Sequence, residues 1–189
     1  IVIIPIIKND DDLEIIHNFL KPFIKELEEK NIRFQFDDRL KISPGFKFNE
    51  WELKGVPIRV EIGSRDMETG TLFCARRDTG EKQSYTVDTA AVELNIVLDK
   101  IQENMFEQAL EFRENNTKSA KNYDEFKSLI ESGGFVRCSW DGDSETEAII
   151  KGETKATIRC ILTDEMDKEK KCIYSGNPAK HEVIFARAY

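Results

Sequence analysis

The sequence predicts an α/β protein of two units in tandem: a small mixed-sheet domain closed by a long helix, then a second small α/β domain on an antiparallel sheet. Three observations carry this. Apolar residues alternate as in half-buried strands at Ile32, Phe34 and Phe36 and again at Ile58, Val60 and Ile62, with helical spacing ahead of the first run. Residues 88–114 hold no Pro or Gly and carry Val92, Ile96, Ile101, Met105, Ala109 and Phe112 among Glu and Lys, the pattern of one long helix. The polar stretch 114–121 then separates that helix from a further run of short elements, which sets the domains at 1–117 and 118–189.

The elements follow in order. Residues 1–7 form a strand-like apolar run broken by Pro5, and Asn9 and Asp10 suit the cap of the next helix. In that helix Leu13, Ile16, Leu20, Phe23 and Leu27 recur at spacings of three and four, and Pro22 is expected to bend it or mark an irregular turn. The strand at 32–36 leads into Asp37-Asp38-Arg39 and a loop, then a strand over 56–62 and another at 72–75. In the second unit a helix over 123–132 stops at Gly133-Gly134. A strand at 135–140, a helix over 144–151 capped from Asp141, Asp143 or Ser144, and strands at 156–162 and 182–188 complete it.

Composition bounds the function. A 40% apolar share supports real cores, while the run at 1–7 is far too short to cross a bilayer and lacks the basic flank of an export signal. A cytoplasmic protein is expected, and the first residue is not Met, so the chain is expected to be a piece beginning at an internal strand. A net charge of −8 argues against indiscriminate coating of nucleic acid, which depends on neutralising many phosphates. Between Arg39 and Lys82, however, nine Lys or Arg face seven Asp or Glu, a local balance of +2 that suits a reader of a few nucleotides. Cys74, Cys138, Cys160 and Cys172 are spaced 64, 22 and 12 apart, too far for a zinc knuckle or redox motif, so reduced, packed thiols are expected.

Templates for catalysis are missing. The chain has no Gly-rich phosphate loop, no G-x-S-x-G elbow and no H-E-x-x-H, and His17 and His181 read as ordinary packing or surface residues. The stretch from Asp141 to Glu147 has Gly at the wrong position for a calcium loop. Residues 43–66 stand apart by mixing Lys, Arg, Glu and aromatics, the chemistry that stacks unstacked bases and bonds their edges, guanine above all. On the strand, Arg59 and Glu61 share the face opposite Ile58, Val60 and Ile62. The plain alternative is an ion-pair ladder on a solvated sheet face, with Phe48 and Trp51 as loop anchors.

The span from Ser43 through Trp51-Glu52-Leu53-Lys54-Gly55-Val56-Pro57 resembles the prolyl-tRNA synthetase family, as do Asp37-Asp38-Arg39, Glu61-Ile62-Gly63, Arg65-Asp66 and Ala75-Arg76-Arg77-Asp78. A second set lies further on: Lys151, Glu153-Thr154-Lys155-Ala156-Thr157, Arg159-Cys160 and the terminal Phe185-Ala186-Arg187-Ala188-Tyr189. The resemblance implies an anticodon-binding domain plus C-terminal domain, in which two anticodon guanines are read by Phe48, Glu52, Arg59, Arg65, Asp66 and Lys82. Glu52 would accept from guanine N1–H and N2–H₂, Arg59 and Arg65 would donate to O6 and N7, and Phe48 would stack. The positions that hold a structural zinc in many such C-terminal domains fall on Asp141, Thr146, Cys172 and Ser175, which implies a metal-free variant. The carboxylate of Tyr189 matches a terminus that approaches the catalytic site of the whole enzyme.

By that resemblance the partner is the anticodon loop of a proline tRNA. The whole enzyme would be a homodimer whose catalytic domain, missing here, loads proline using ATP and Mg²⁺, so this chain alone is expected to recognise RNA without catalysis. Two alternatives remain at this stage: a non-catalytic synthetase paralogue or interaction module on the same fold, and a small-molecule α/β enzyme. The first would bind tRNA without regard to the anticodon. The second needs a convergent pocket of titratable groups that two histidines do not supply.

Overall fold

A computed structural model describes residues 1–7, 11–163 and 169–187. Strands β1 (Val2–Pro5), β2 (Gln35–Phe36), β3 (Ile58–Ile62), β4 (Thr71–Arg76) and β5 (Lys82–Thr86) form one sheet in the order β2-β1-β3-β4-β5. β1 pairs parallel with β2 and β3, and β3–β4–β5 is antiparallel, so the sheet is mixed as expected. Helix α1 (Asp11–Glu29) supplies the parallel crossover, and α4 (Ala90–Asn115) is the long helix anticipated after the sheet.

One face of this sheet is its core. Ile3, Ile58, Val60, Ile62, Leu72, Cys74 and Tyr85 pack with Ile16, Leu20, Phe23 and Leu27 of α1 and with Ala91, Leu94 and Ile101 of α4. The alternation along β3, buried at Ile58, Val60 and Ile62 and half-buried at Arg59 and Glu61, is that packing written at period two. α1 runs on through Pro22 as one assigned helix; the ring leaves the Asn18 carbonyl without its usual N–H donor. The candidate caps Asn9 and Asp10 lie outside the described residues.

Three expectations change. The span read as a loop after Arg39 contains helix α2 (Pro44–Leu53), started by Ser43, whose side chain accepts from the Phe46 N–H, and by Pro44 in the first turn. A short helix α3 (Ser64–Thr69) follows β3, and β5 forms a hairpin with β4. Phe48 and Trp51 are therefore helix residues, not loop anchors.

The chain divides into compact units within α4, between Glu107 and Gln108, ten residues ahead of the boundary expected at its end. The second unit is built on β6 (Thr117–Ser119), β7 (Phe135–Trp140), β8 (Ala156–Ile161) and β9 (His181–Arg187) in the order β6-β7-β9-β8. Its β7–β9–β8 body is antiparallel, with β6 added in parallel at the edge. Helices α5 (Tyr123–Ser132) and α6 (Ser144–Thr154) bring Phe126 and Ile150 onto Val136, Val183 and Phe185.

Two glycines of this unit should respond oppositely to alanine. Gly134 sits at φ +95°, and an added Cβ would stand 2.7 Å from the Asn116 carbonyl oxygen, so Gly134→Ala should destabilise by about 1–3 kcal/mol in urea unfolding. Gly152 is helical with open space around its missing Cβ, so Gly152→Ala should stabilise by about 0.5–1 kcal/mol.

Candidate nucleic-acid interface

The second face of the first sheet is only partly covered. Sheet register sets Val2, Arg59, Ala75 and Lys82 in one row across β1, β3, β4 and β5, with side chains on the side away from α1 and α4. α2 lies over the β1 end of this row, and between helix and row opens a cleft of about 230 Å³. Its lining brings together Phe48, Glu52, Arg59 and Lys82 with Trp51, Arg76 and Arg77.

α2 is held there by a buried ion network. The Asp37 side chain, at the end of β2, is 1% exposed and receives Arg39 through both Nε at 2.8 Å and Nη2 at 2.7 Å. Trp51 Nε1 donates to Oδ2, the oxygen that also takes Arg39 Nη2, at 2.7 Å, while the Lys47 ammonium, 2% exposed, donates to the Asp37 carbonyl at 2.9 Å and stands 3.5 Å from the carboxylate. Arg39 bridges on to Glu50 at 2.6 Å, and Lys54 reaches the same Glu50 at 2.8 Å. The Arg39 hydrogen bonds hold the Asp37 carboxyl far below the usual range, assisted by Trp51 and Lys47 and against the opposing effect of burial.

Within the cleft the Arg59 guanidinium lies over the Phe48 ring, 4.1 Å from its centroid, and its Nε donates to Glu61 at 2.9 Å. The pair joins i and i+2 on one strand, in place of a ladder between strands. Glu52, exposed at the end of α2, and Lys82, exposed at the start of β5, flank this stack. A stacked ring, a fixed guanidinium, an exposed carboxylate and an exposed ammonium around one small cleft can hold an unstacked base by its face and edge.

Arg65 and Asp66 are not in the cleft. They sit on α3, beyond the other end of β3, which lies roughly 10 Å along the strand from Arg59. Asp66 accepts from the Gly63 N–H at 2.8 Å, tying α3 to the strand, and Arg65 is exposed. Arg76, Arg77 and Trp51 were not picked out by sequence reasoning as site residues, although counting the β4–β5 register would have set Ala75 and Lys82 beside Arg59.

In the second unit Asp141, Thr146, Cys172 and Ser175 do come together. Asp141 accepts from Ser175 Oγ at 2.5 Å and Thr146 Oγ1 at 3.3 Å; burial acts to raise its carboxyl, and bonds from Ser175, the Asp143 backbone, Cys172 and Thr146 outweigh this and hold it low. One carboxylate already bonded to two hydroxyls beside a single thiol is a poor donor set for tetrahedral zinc, and among the described residues no cluster of three His, Cys, Asp or Glu could hold a metal. Asp143 caps α6, accepting from the Glu145 N–H. Cys74, Cys138 and Cys172 are buried and unpaired, with burial pushing the Cys74 and Cys138 thiols up to about 12, while Cys160 is exposed. His17 packs edge-on to Phe36 and His181 beside Trp140. Tyr189 lies outside the described residues.

Residues 1–104 match the family described as "Anticodon binding domain", and residues 123–189 match "Prolyl-tRNA synthetase, C-terminal". A proline--tRNA ligase of Cytophaga hutchinsonii is 47% identical over the full chain, which covers 39% of that protein. One of Chlorobium phaeobacteroides is 47% identical, also over the full chain and 40% of its own length, and one of Roseiflexus sp. 43% identical over 40% of its length. The chain thus spans about two fifths of these relatives.

Asp37→Ala would leave Lys47 buried without its carboxylate and should destabilise by about 3–5 kcal/mol at neutral pH. Because the folded carboxyl titrates below its unfolded value, its contribution is complete above about pH 4 and is lost as pH falls from there. In urea unfolding at pH 7, 5 and 3, the gap between wild type and Asp37→Asn should hold at the first two and narrow at the third; an unchanged gap at pH 3 would contradict the network's role.

Proposed function

Since this chain belongs to the prolyl-tRNA synthetase family, with an anticodon-binding domain followed by that family's C-terminal domain, we propose that its first unit reads the anticodon guanines of a proline tRNA. The observation that carries this is the cleft in which Arg59 lies on Phe48 with Glu52 and Lys82 at its edges. Arg59 offers the fork that suits guanine O6 and N7, and Glu52 the acceptor that suits N1–H and N2–H₂. Arg65 and Asp66, beyond the other end of β3, serve the second guanine, so the two bases are read at separate places on the sheet. The reading part is taken as residues 1–117, the first sheet with its helices and the whole of α4. The whole protein would attach proline to that tRNA using ATP and Mg²⁺, as a homodimer in the cytoplasm, with Tyr189 directed to its catalytic domain. Among the described residues no helix is long and apolar enough to cross a membrane.

The C-terminal unit is proposed to stand without metal, the Asp141 hydrogen-bond cluster closing the space that four thiolates would ring. Elemental analysis should find no stoichiometric zinc, and the melting midpoint should be unchanged in chelator; one zinc per chain would overturn this, because a structural zinc contributes folding energy directly.

For base reading, Glu52→Ala or Arg59→Ala should each remove about 1–3 kcal/mol of discrimination between an anticodon stem-loop of proline tRNA and one with guanine replaced. Equal losses on both loops would reduce these side chains to general electrostatics.

A further inference from the structure

The cleft's cations differ in what already holds them. Arg76 is committed to Asp78, whose oxygens take its Nε at 3.1 Å and Nη2 at 2.7 Å, and Asn104 donates to the same carboxylate at 2.7 Å. Arg59 is committed to Glu61 and to the Phe48 ring. Arg77 and Lys82, on either side of the β4–β5 turn, have no carboxylate within ion-pair reach among the described residues.

Arg77 is also positioned. Its backbone N–H donates to the Pro57 carbonyl at 2.9 Å and its Nε to the Glu52 carbonyl at 3.1 Å, at the last turn of α2. These bonds fix the stem of an exposed side chain and leave the outer N–H donors of the guanidinium without a protein acceptor among the described residues. An aimed, un-neutralised fork beside a base-sized cleft is suited to bidentate recognition of an anionic phosphate. On a chain of net charge −8 such local cations must supply the attraction that the body does not.

We propose that Arg77 is a phosphate-contacting residue: it grips the RNA backbone at the rim of the cleft and sets the strand so that its base meets Phe48, Glu52 and Arg59. This rests on the reading of the cleft as an RNA site and adds to it a contact that carries no sequence information, since phosphate contacts position and base contacts specify.

The test is a salt titration of the 189-residue chain with a proline tRNA anticodon stem-loop, by fluorescence anisotropy, for wild type, Arg77→Gln and Arg77→Lys, repeated with a guanine-replaced loop. Arg77→Gln should reduce the slope of log affinity against log salt by about 0.7 and weaken both loops by the same factor, while Arg77→Lys keeps the slope. An unchanged slope in Arg77→Gln would overturn the proposal. So would a loss of guanine discrimination at unchanged slope, which would make Arg77 only the anchor of Glu52. If wild type bound the two loops equally, the base-reading proposal would fall on its own, and the slope comparison would still decide Arg77.

Discussion

The Asp37 carboxylate is the constraint on which the first unit's working surface depends. It is buried at the end of a two-residue strand and gathers Arg39, Trp51 and Lys47, so that α2 is seated by charge and hydrogen bonds where most helices are seated by a greasy stripe. A buried carboxylate is costly unless every lone pair is met, and here the meeting partners come from α2 itself and from the turn before it. The geometry is correspondingly strict. Trp51 reaches Asp37 in one orientation of the helix, and that orientation places Phe48, one turn back, over the row that contains Arg59.

This arrangement also explains which parts of the fold were legible in the sequence. β3 and the helices α1 and α5 announce themselves because a packed apolar face imposes a period on the residues, whereas α4 was recognised from a set of which only Ile101 is buried, Val92, Ile96, Met105, Ala109 and Phe112 being exposed while Ala90, Ala91 and Leu94 do the packing. α2 breaks that rule: its buried residue is Lys47, while Phe46 and Leu53 point to solvent at 60% and 89% exposure, so apolar spacing gives the wrong face. Its start signal, Ser43 followed by Pro44, was present and was masked by Gly45, which suggests a turn. β5 was hidden for a related reason. It is an edge strand in which only Tyr85 is buried, and Lys-Gln-Ser-Tyr-Thr carries no alternation to detect.

The site shows a similar division. Phe48, Glu52, Arg59 and Lys82 could be named from residue types and family resemblance, yet the first and last lie 34 positions apart and only register brings them together. Arg65 lies much nearer to Arg59 in sequence than Lys82 does, and stands outside the cleft because β3 is extended between them. In the second unit Asp141 and Thr146 meet Ser175, far on in sequence, in one hydrogen-bonded group.

The two tryptophans divide between the units, and this gives the molecule a built-in pair of optical probes. Trp51 lines the cleft with its indole N–H on Asp37 and the Lys54 ammonium 4.3 Å from its ring, whereas Trp140 is packed in the core of the second unit with its N–H on the Asp143 carbonyl. Indole emission follows the charges and water around the ring, so the first chromophore registers events at the cleft and the second the integrity of its own core. Replacing Trp140 by Phe isolates the cleft signal without an attached dye, and occupancy of the site becomes readable in the light the protein itself emits.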